Sequence, residues 1–344
     1  MENCFALCLQ QLKNNQSCVL ATILSKQGSA PRGAGAMMIV TESGETQGTV
    51  GGGALEHAVC QAATACLAHK VSRLVSYQLT PGAAEDLGMV CGGSVQVFCQ
   101  RFSPLEGKDQ TLLRRIGELL AQEKRLWLAR EISSQGEMRA ATLCDESGLL
   151  FGDSIPFEKL RPLCQSSPVL VREASLWFVQ PLGIVSRAYL FGGGHISQEL
   201  APLLQRLDFS PAIYEDRPDF LRPELFPTVR RLILGAFDRI SLPLTAEDYA
   251  VIMTRGHVHD HELLTQILRS PVTYIGLIGS RSKIETTRTA LLREGFSQTD
   301  FERVHTPVGL AIGAETPAEI AVSIAGEMIL HRARRNGNPK APAV

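Results

Sequence analysis

The sequence lacks any apolar run long enough to cross a membrane. A transmembrane helix needs about 18 or more consecutive apolar residues, and no stretch of this chain approaches that length. The first residues, MENCFALCLQQLKNNQ, also lack the basic start and apolar core of a secretion signal. We therefore expect a protein that is not exported and that has no membrane partner.

The chain also lacks an excess of either charge. Lys and Arg number 34 and Asp and Glu number 35, which gives a formal net charge of −1. A basic run at Arg332, Arg334 and Arg335 is typical of a solvated helix end. Because nucleic-acid binding proteins need an electropositive surface, this balance argues against a nucleic-acid partner.

Paired cysteine motifs are absent as well. The sequence has 9 cysteines but no Cys-x-x-Cys, and none follows Cys164. An odd number of scattered cysteines is typical of free thiols in a reducing cytoplasm, so we predict a cytoplasmic protein. The uneven distribution of cysteine and the length of 344 residues favour two domains, which we place at 1–182 and 183–344.

The most informative stretch of the sequence is Arg187–Asp216. Apolar residues lead into Gly192–Gly194, a helical pattern follows, and a second short apolar run ends in Glu215 and Asp216. Ser197 takes the place of the third glycine of a G-x-G-x-x-G motif. This order of strand, glycine turn, helix, strand and acidic end predicts a Rossmann-like unit.

The glycine turn and the acidic end predict a dinucleotide site. Gly192 permits the tight turn, Gly194 lets the backbone approach a pyrophosphate, and the amides at the helix start favour an anion. An acidic residue about 20 residues further on reaches a ribose hydroxyl in such folds. The residues predicted to bind the cofactor here are Gly192, Gly193, Gly194, His195, Glu215, Asp216 and Arg217.

Further strands follow, at Arg231–Gly235, Tyr249–Thr254 and Thr273–Ile278. We predict that the segment after Thr254 is a loop, with a helix beginning at Glu262. Ligands of open α/β sheets bind at the carboxyl ends of the strands, so these ends join the predicted site. The second domain is predicted to be a Rossmann-like parallel sheet with helices on both faces. Its further cofactor-binding residues are Thr254, His257, Gly279, Ser280 and Lys283.

Three histidines alternate along the segment that follows the fourth strand. His257, His259 and His261 stand beside Asp260, in a spacing one residue shorter than the H-x-H-x-D-H of metallo-β-lactamase-like hydrolases. A metal held by His257 and His259 is one interpretation. Contact with a ligand, or polar capping of a helix, are the others.

The first domain is predicted to be α+β with antiparallel strands, and it contains two more glycine-rich loops. Gly28, Ser29 and Arg32 offer backbone amides, a hydroxyl and a guanidinium, which together suit a phosphate or a pterin edge. Gly51, Gly52 and Gly53 precede a helix, whose start favours an anion. Plain hairpin and turn geometry is the alternative for both loops.

Cys91 stands among small residues just before a predicted strand. It is followed by Gly92 and Gly93, so its thiol is expected to be accessible. Most free cysteines are small buried apolar residues, which is how we interpret the other eight. Cys91 is the one cysteine that we predict to be functional, and the neighbouring Gly92 and Gly93 are predicted to bind the cofactor.

Several of these motifs resemble the XdhC/CoxI family, the xanthine dehydrogenase accessory proteins. In the first half the resemblance lies in GSAPRGAGAMMIV, GTVGGGALE and GMVCGG. In the second half it lies in GGGHISQELAPLLQRLDF, YEDRPDF, TRGHVHD, YIGLIGSRSK and PVGLAIGAETPAEIAVSIAGEMI.

The resemblance implies a maturation factor for molybdenum hydroxylases of the xanthine dehydrogenase type. Such a factor binds molybdenum cofactor, as molybdopterin or its cytosine dinucleotide form, and supports exchange of an oxo ligand for sulfido. It then delivers the cofactor to the apo-hydroxylase, with sulfur from a cysteine desulfurase. The family cysteine maps onto Cys91, as a molybdenum or sulfur contact that a soft thiolate suits. A homodimer is the assembly that the family implies.

Three other functions stay open at this level. The Rossmann-like half would by itself support an NAD(P)-dependent oxidoreductase, although no Tyr-x-x-x-Lys proton donor lies near the glycine turn. A non-catalytic scaffold would dock the hydroxylase and the desulfurase while the loops stay empty. A metal hydrolase would rest on the three histidines alone.

Overall fold

The chain forms two compact units, Met1–Gly183 and Ile184–Val344. We place the domain boundary after residue 182 from the sequence. The structure is a computed structural model, and it describes residues 2–28, 32–79, 93–122, 125–183 and 186–336. No helix in these ranges is long and apolar enough to cross a membrane.

The first unit opens with a five-stranded sheet of antiparallel pairs in the order β3-β2-β1-β5-β4. Its elements are α1 (Glu2–Lys13), β1 (Cys18–Gly28), β2 (Met37–Thr41), β3 (Thr46–Gly48), α2 (Gly53–His69), β4 (Arg73–Gln78) and β5 (Gly93–Phe102). The central strand β1 is buried on both faces, since successive side chains point to opposite sides. Val19, Ala21 and Ile23 pack under α2, whereas Cys18 and Leu20 pack against α1.

A second antiparallel sheet completes this unit, in the order β8-β7-β6-β10-β9. Its elements are α3 (Gly107–Ala121), β6 (Arg125–Ile132), β7 (Met138–Asp145), β8 (Gly148–Gly152), α4 (Phe157–Leu160), a 3-10 turn (Arg161–Leu163), β9 (Val169–Arg172) and β10 (Leu176–Gly183). Leu126, Leu128 and Leu182 of this sheet share one apolar core with α1 and α3. The predicted α+β first half with antiparallel strands is therefore confirmed.

The second unit is a six-stranded parallel sheet in the order β13-β12-β11-β14-β15-β16. Its elements are β11 (Arg187–Phe191), α5 (His195–Arg206), β12 (Ser210–Glu215), β13 (Arg231–Leu234), β14 (Tyr249–Ile252), α6 (His257–Leu268), β15 (Tyr274–Leu277), α7 (Arg281–Arg293), α8 (Gln298–Glu302), β16 (Val304–His305) and α9 (Pro317–Arg335). Counted within the unit, this is the strand order 3-2-1-4-5-6 of dinucleotide-binding folds.

Helices cover both faces of this parallel sheet. On one face, Leu200 and Leu204 of α5 pack with Ile324 and Met328 of α9. On the other face, residues of α6 and α7 close a second apolar core. The predicted Rossmann-like sheet with helices on both faces is confirmed.

The prediction that a loop runs through His261 is wrong. Helix α6 begins at His257, with extended Gly256 before it. Asp260 lies in the first turn, and its carboxylate accepts hydrogen bonds from the backbone and hydroxyl of Thr254, at 3.2 Å and 2.5 Å. A carboxylate near a helix start stabilises that start, so the polar segment is helical rather than irregular.

Candidate functional site

The described parts of the glycine-rich motifs of the first unit lie at one end of its first sheet. Gly28 ends β1 and is the register partner of Gly93, which begins β5. The amide of Thr49 donates to the carbonyl of Met37 at 3.0 Å, so the chain approaching Gly51–Gly53 lies beside the start of β2. Because β2 is antiparallel to β1, that start lies toward the Gly28 end of the sheet.

Three residues predicted to function in this region lie outside the described residues. They are Ser29, Cys91 and Gly92. Gly93 is described, and it directly follows the C-G pair along the chain. Arg32 is also described, and its side chain is exposed. The roles of Ser29, Cys91 and Gly92 stay predictions.

The turn at Gly51–Gly53 holds a carboxylate of the chain itself. The Gly52 amide donates to Glu56 Oε1 at 2.8 Å, and the Thr49 hydroxyl donates to the same oxygen. Burial raises the pKa of Glu56, but these hydrogen bonds outweigh it and the pKa is lowered. The Gly52 amide at the start of α2 is thus occupied by Glu56, and binding of a ligand by Gly51–Gly53 stays a prediction. The signal in the sequence was an acidic residue in the first turn of α2.

In the second unit, the strand ends that the sequence singles out lie along one edge of the parallel sheet. The strands β12, β11, β14 and β15 are neighbours in that order. Their hydrogen bonds continue past the strand ends, from the Gly192 amide to the Tyr214 carbonyl at 2.8 Å and from the Met253 amide to the Phe191 carbonyl at 2.9 Å. The predicted residues after each strand therefore meet at the carboxyl edge, where the strand order reverses between β11 and β14.

The three glycines after β11 have different roles. Gly192 has φ +108°, and a Cβ there would lie 2.5 Å from the Met253 carbonyl oxygen. A Cβ on Gly193 would overlap the Phe220 carbonyl oxygen. A Cβ on Gly194 would meet nothing within 4 Å. Gly192 and Gly193 are thus required by the protein's own packing, and Gly194 lies at the open start of α5, where a ligand has room.

Ser197 replaces the third glycine without loosening the turn. Its side chain is buried, and its hydroxyl donates to the Gly192 carbonyl oxygen at 2.5 Å. The bond ties the first turn of α5 to the glycine turn. A small residue is still required there, and the hydroxyl adds a hydrogen bond that glycine could not make.

The carboxylate of Glu215 forms its hydrogen bonds within the protein. Its side chain is 1% exposed, and its carboxylate accepts from the Gly193 amide at 2.7 Å and from Arg217 Nε at 2.9 Å. Burial raises the pKa of Glu215, but the hydrogen bonds, chiefly that from Arg217, bring it down to about 2. Glu215 is a buried carboxylate that holds the glycine turn.

Asp216 is the more exposed carboxylate of the pair. Its side chain is 21% exposed, and Oδ2 lies 3.3 Å from the Arg255 guanidinium. Its Oδ1 is buried and accepts no hydrogen bond from the residues that the structure describes. Burial, and then the neighbouring Glu215, raise the pKa of Asp216. Of the two, Asp216 is therefore the carboxylate that solvent reaches, although not through Oδ1.

Arg217 joins this edge through stacking as well as charge. Its guanidinium lies 3.8 Å from the centre of the Phe220 ring, and its Nε lies 3.6 Å from Asp216 Oδ1. Phe220 also supplies the carbonyl oxygen that abuts Gly193. The segment after β12 thus closes over the glycine turn, a role that the sequence did not indicate.

The histidines of α6 point to different partners. His259 Nδ1 lies 3.2 Å from Glu262, and its ring packs against Phe237. His261 Nε2 lies 2.6 Å from Glu294. Within the described parts of the chain, no three His, Cys, Asp or Glu side chains converge as metal ligands do. The side chain of His257 lies outside the described residues.

The fifth strand ends in the remaining predicted residues. Gly279 and Ser280 follow β15, and α7 begins at Arg281 with the Ile284 amide bonded to the Ser280 carbonyl at 3.0 Å. Ser280 is exposed, and the side chain of Lys283 lies outside the described residues. Gly279 and Ser280 therefore border the same carboxyl edge as Gly192 and Thr254, and Lys283 lies in the first turn of α7.

Both halves of the chain match models of one protein family. The model of the XdhC and CoxI family matches residues 11–78, and that of the XdhC Rossmann domain matches residues 188–328. The first match contains the loops at Gly28 and Gly51. The second contains the whole carboxyl edge from Gly192 to Lys283.

Individual proteins show the same likeness. A Bacillus subtilis protein named as a probable xanthine dehydrogenase subunit is 29% identical over 333 residues, covering 94% of this chain and 96% of that protein. The uncharacterized protein YqeB from Escherichia coli is 26% identical over 320 residues, and this chain spans 44% of its length. A crystal structure from Bacillus halodurans, described as a xanthine dehydrogenase, superposes with a TM-score of 0.77 at 26% identity, covering 98% and 97% of the two chains. The chain therefore belongs to the XdhC and CoxI family of xanthine dehydrogenase accessory proteins.

Proposed function

We propose that this protein binds molybdenum cofactor, supports the exchange of its terminal oxo ligand for sulfido, and delivers it to an apo-hydroxylase of the xanthine dehydrogenase type. The observation that supports this most directly is the pairing of Gly28 with Gly93. It brings the ends of two family motifs, G-S-A-P-R and C-G-G, to neighbouring strands at one end of the sheet. A cysteine desulfurase is the proposed sulfur donor, and a homodimer is the proposed assembly.

The residues at this sheet end fit a phosphorylated pterin. Arg32 is an exposed cation, and the open turn at Gly52 and Gly53 has room for a ligand atom where a Cβ would meet nothing within 4 Å. Glu56 keeps the amides of this turn occupied, so a phosphate would displace the carboxylate or bind beside it. The bound cofactor supplies the molybdenum whose oxo ligand is exchanged. In this proposal Cys91 protects or contacts that centre, as a soft thiolate can.

Considered by itself, the Rossmann-like unit has features that suit a nucleotide. Gly194 lies at the start of a 12-residue helix, α5, with open space beside it. Asp216 is the partly exposed carboxylate at the end of the second strand, which suits contact with a ribose hydroxyl. We infer that the pyrophosphate binds at Gly194 and that the ribose binds at Asp216.

A transfer assay tests the proposal. Full-length protein loaded with molybdenum cofactor is incubated with a cysteine desulfurase, cysteine and an apo-hydroxylase, and hydroxylase activity is followed. We expect Cys91→Ser to lose transfer of sulfurated cofactor, and Cys60→Ser to behave as the wild type. Transfer by Cys91→Ser at the wild-type rate would show that Cys91 has no such role. Mass spectrometry of small molecules released from protein purified from its own host identifies the cofactor form.

An NAD(P)-dependent oxidoreductase is the second candidate. The 3-2-1-4-5-6 strand order and the partly exposed carboxylate of Asp216 support it. Titration with NADH and with NADPH, followed by fluorescence and by melting temperature, distinguishes the two candidates. Absence of binding by both nucleotides removes the oxidoreductase and leaves the accessory function standing.

A further inference from the structure

Several cysteines of the first unit lie beside another cysteine. Eight free cysteines are described. Three neighbouring pairs form among them: Cys8 with Cys18, Cys66 with Cys99, and Cys144 with Cys164. None of these thiols has a part in the function proposed above, so a role for any pair is independent of that function.

Exposure separates one pair from the other two. Cys8, Cys18, Cys66 and Cys99 are each 0% exposed, so a solvent-borne reagent reaches neither member of those pairs. In the third pair Cys144 is fully buried but Cys164 is partly exposed. A reagent arriving from solvent therefore meets Cys164 first, with Cys144 directly behind it.

The two sulfur atoms are close, and one of them lies outside the strands of the sheet. Cys144 Sγ and Cys164 Sγ are 3.7 Å apart, and a disulfide needs about 2.05 Å. Cys144 lies on β7, fixed in the sheet opposite Trp127. Cys164 follows the 3-10 turn Arg161–Leu163, and the Trp127 indole N–H holds the next residue through the Gln165 carbonyl at 2.8 Å. Disulfide formation requires the two sulfur atoms to approach each other, and Cys164 lies outside the strands of the sheet, directly after a three-residue turn.

The difference in pKa between the two thiols also suits a two-step reaction. The hydrogen bond from Cys144 lowers the pKa of the Cys164 thiol, whereas the pKa of the Cys144 thiol is raised by its contact with Cys164 and by burial. The thiolate therefore forms on the accessible sulfur, and the proton stays on the buried one. Cys60 is a useful contrast, because it is also partly exposed but burial and Glu56 raise its pKa.

We propose that Cys144 and Cys164 are a redox pair that hydroperoxides convert into an intramolecular disulfide. The Cys164 thiolate attacks one peroxide oxygen, the O–O bond breaks, and the leaving oxygen takes a proton, which gives a sulfenic acid on Cys164. The Cys144 sulfur then attacks the Cys164 sulfur, the S–S bond forms, and hydroxide leaves with the Cys144 proton as water. The two thiols lose two electrons and the peroxide gains two.

Peptide mapping of the full-length protein tests this proposal. The protein is treated with one equivalent of hydrogen peroxide, alkylated, and digested. We expect a Cys144–Cys164 cross-link that dithiothreitol reverses and that forms at least about tenfold faster than any link within the two buried pairs. In Cys144→Ser, dimedone should trap sulfenic acid on Cys164 with no cross-link. Cys60→Ser is the matched control and should form the cross-link at the wild-type rate.

Several results would overturn the proposal. One such result is that, after peroxide treatment, Cys164 is still fully alkylated while other thiols have oxidised. Another is a cross-link that joins Cys164 to Cys91 and not to Cys144. Circular dichroism checks that Cys144→Ser is folded. If it is not, Cys164→Ser provides the second test, because it must abolish the cross-link and leave Cys144 reduced and slow to alkylate in the native protein.

Discussion

At the scale of single residues, the two carboxylates at the end of β12, Glu215 and the following Asp216, have different roles. Glu215 is buried and accepts hydrogen bonds from the glycine turn and from Arg217. Asp216 is partly exposed and keeps one oxygen without a donor in the described structure. The sequence presents them as an equivalent acidic pair. Substituting both together would mix a stability effect with a binding effect, so each is tested alone.

Glu215→Gln should destabilise the protein in a pH-dependent way. The pKa of Glu215 is lowered from 4.5 to about 2, so its ionised form stabilises the fold above pH 4.5 and that contribution is lost as the pH falls toward 2. The lost contribution is roughly 3 kcal/mol from the size of the shift. Urea unfolding of the wild type and the variant at pH 6, 4 and 3 should give a difference that shrinks as the pH falls. A difference independent of pH would contradict this.

Asp216→Asn should weaken nucleotide binding and leave stability nearly unchanged. Its ion pair with the half-exposed Arg255 is a surface pair, which contributes about 0–1 kcal/mol. Loss of a charged acceptor for a ribose hydroxyl costs roughly 1.5–3 kcal/mol, or at least about tenfold in Kd. Calorimetric titration with the cytosine dinucleotide form of the cofactor measures this change in Kd. The Kd of molybdopterin, which has no nucleotide, should be the same for the wild type and the variant. Asp219→Asn, an exposed neighbour, is the control, and equal weakening by both variants would rule out a ribose contact.

At the scale of elements, the glycine turn before α5 divides into a packed part and an open part. Gly193→Ala should lower the free energy of unfolding by roughly 1–3 kcal/mol, because the new methyl group overlaps the Phe220 carbonyl oxygen. Gly194→Ala is the matched control, since φ is −70° there and nothing lies within 4 Å. Its effect on stability should stay below about 1 kcal/mol. Thermal and urea unfolding of the two variants measure these losses. A larger loss in Gly194→Ala than in Gly193→Ala would contradict the division of the turn into a packed and an open part.

Strands and glycine turns could be predicted from the sequence because their signals are local. Gly192 and the apolar run before it need no distant residue to be recognised, and the same holds for Gly51–Gly53. The start of α6 at His257 was missed because its first turn is mostly polar and carries no apolar helical period, although Asp260 in that turn is a local signal of a helix start. Glu56 is a local signal of the same kind, in the first turn of α2, whereas Glu215 is not. Which carboxylate meets a turn is decided by packing, and Glu215 reaches Gly193 from the next strand.

At the scale of the whole molecule, each of the two units has its own apolar core. In the second unit, the cores on the two faces of the sheet are built from residues of that unit. We expect residues 184–344 to fold alone and to unfold cooperatively. Near-ultraviolet circular dichroism and calorimetry of this fragment check the expectation. A fragment without fixed tertiary signal would contradict it, and Glu215→Gln should lower the melting temperature of the fragment as it does that of the full chain.

The distribution of cysteine has a practical consequence. All 9 cysteines precede residue 165, and Cys8, Cys18, Cys66 and Cys99 are fully buried in the first unit. A thiol-reactive dye added during unfolding therefore reports the opening of the first unit alone, and the second unit contributes nothing to the dye signal. One cysteine introduced at an exposed position such as Asp219 would give the second unit its own label. The unfolding rates of the two units could then be measured separately in a single experiment.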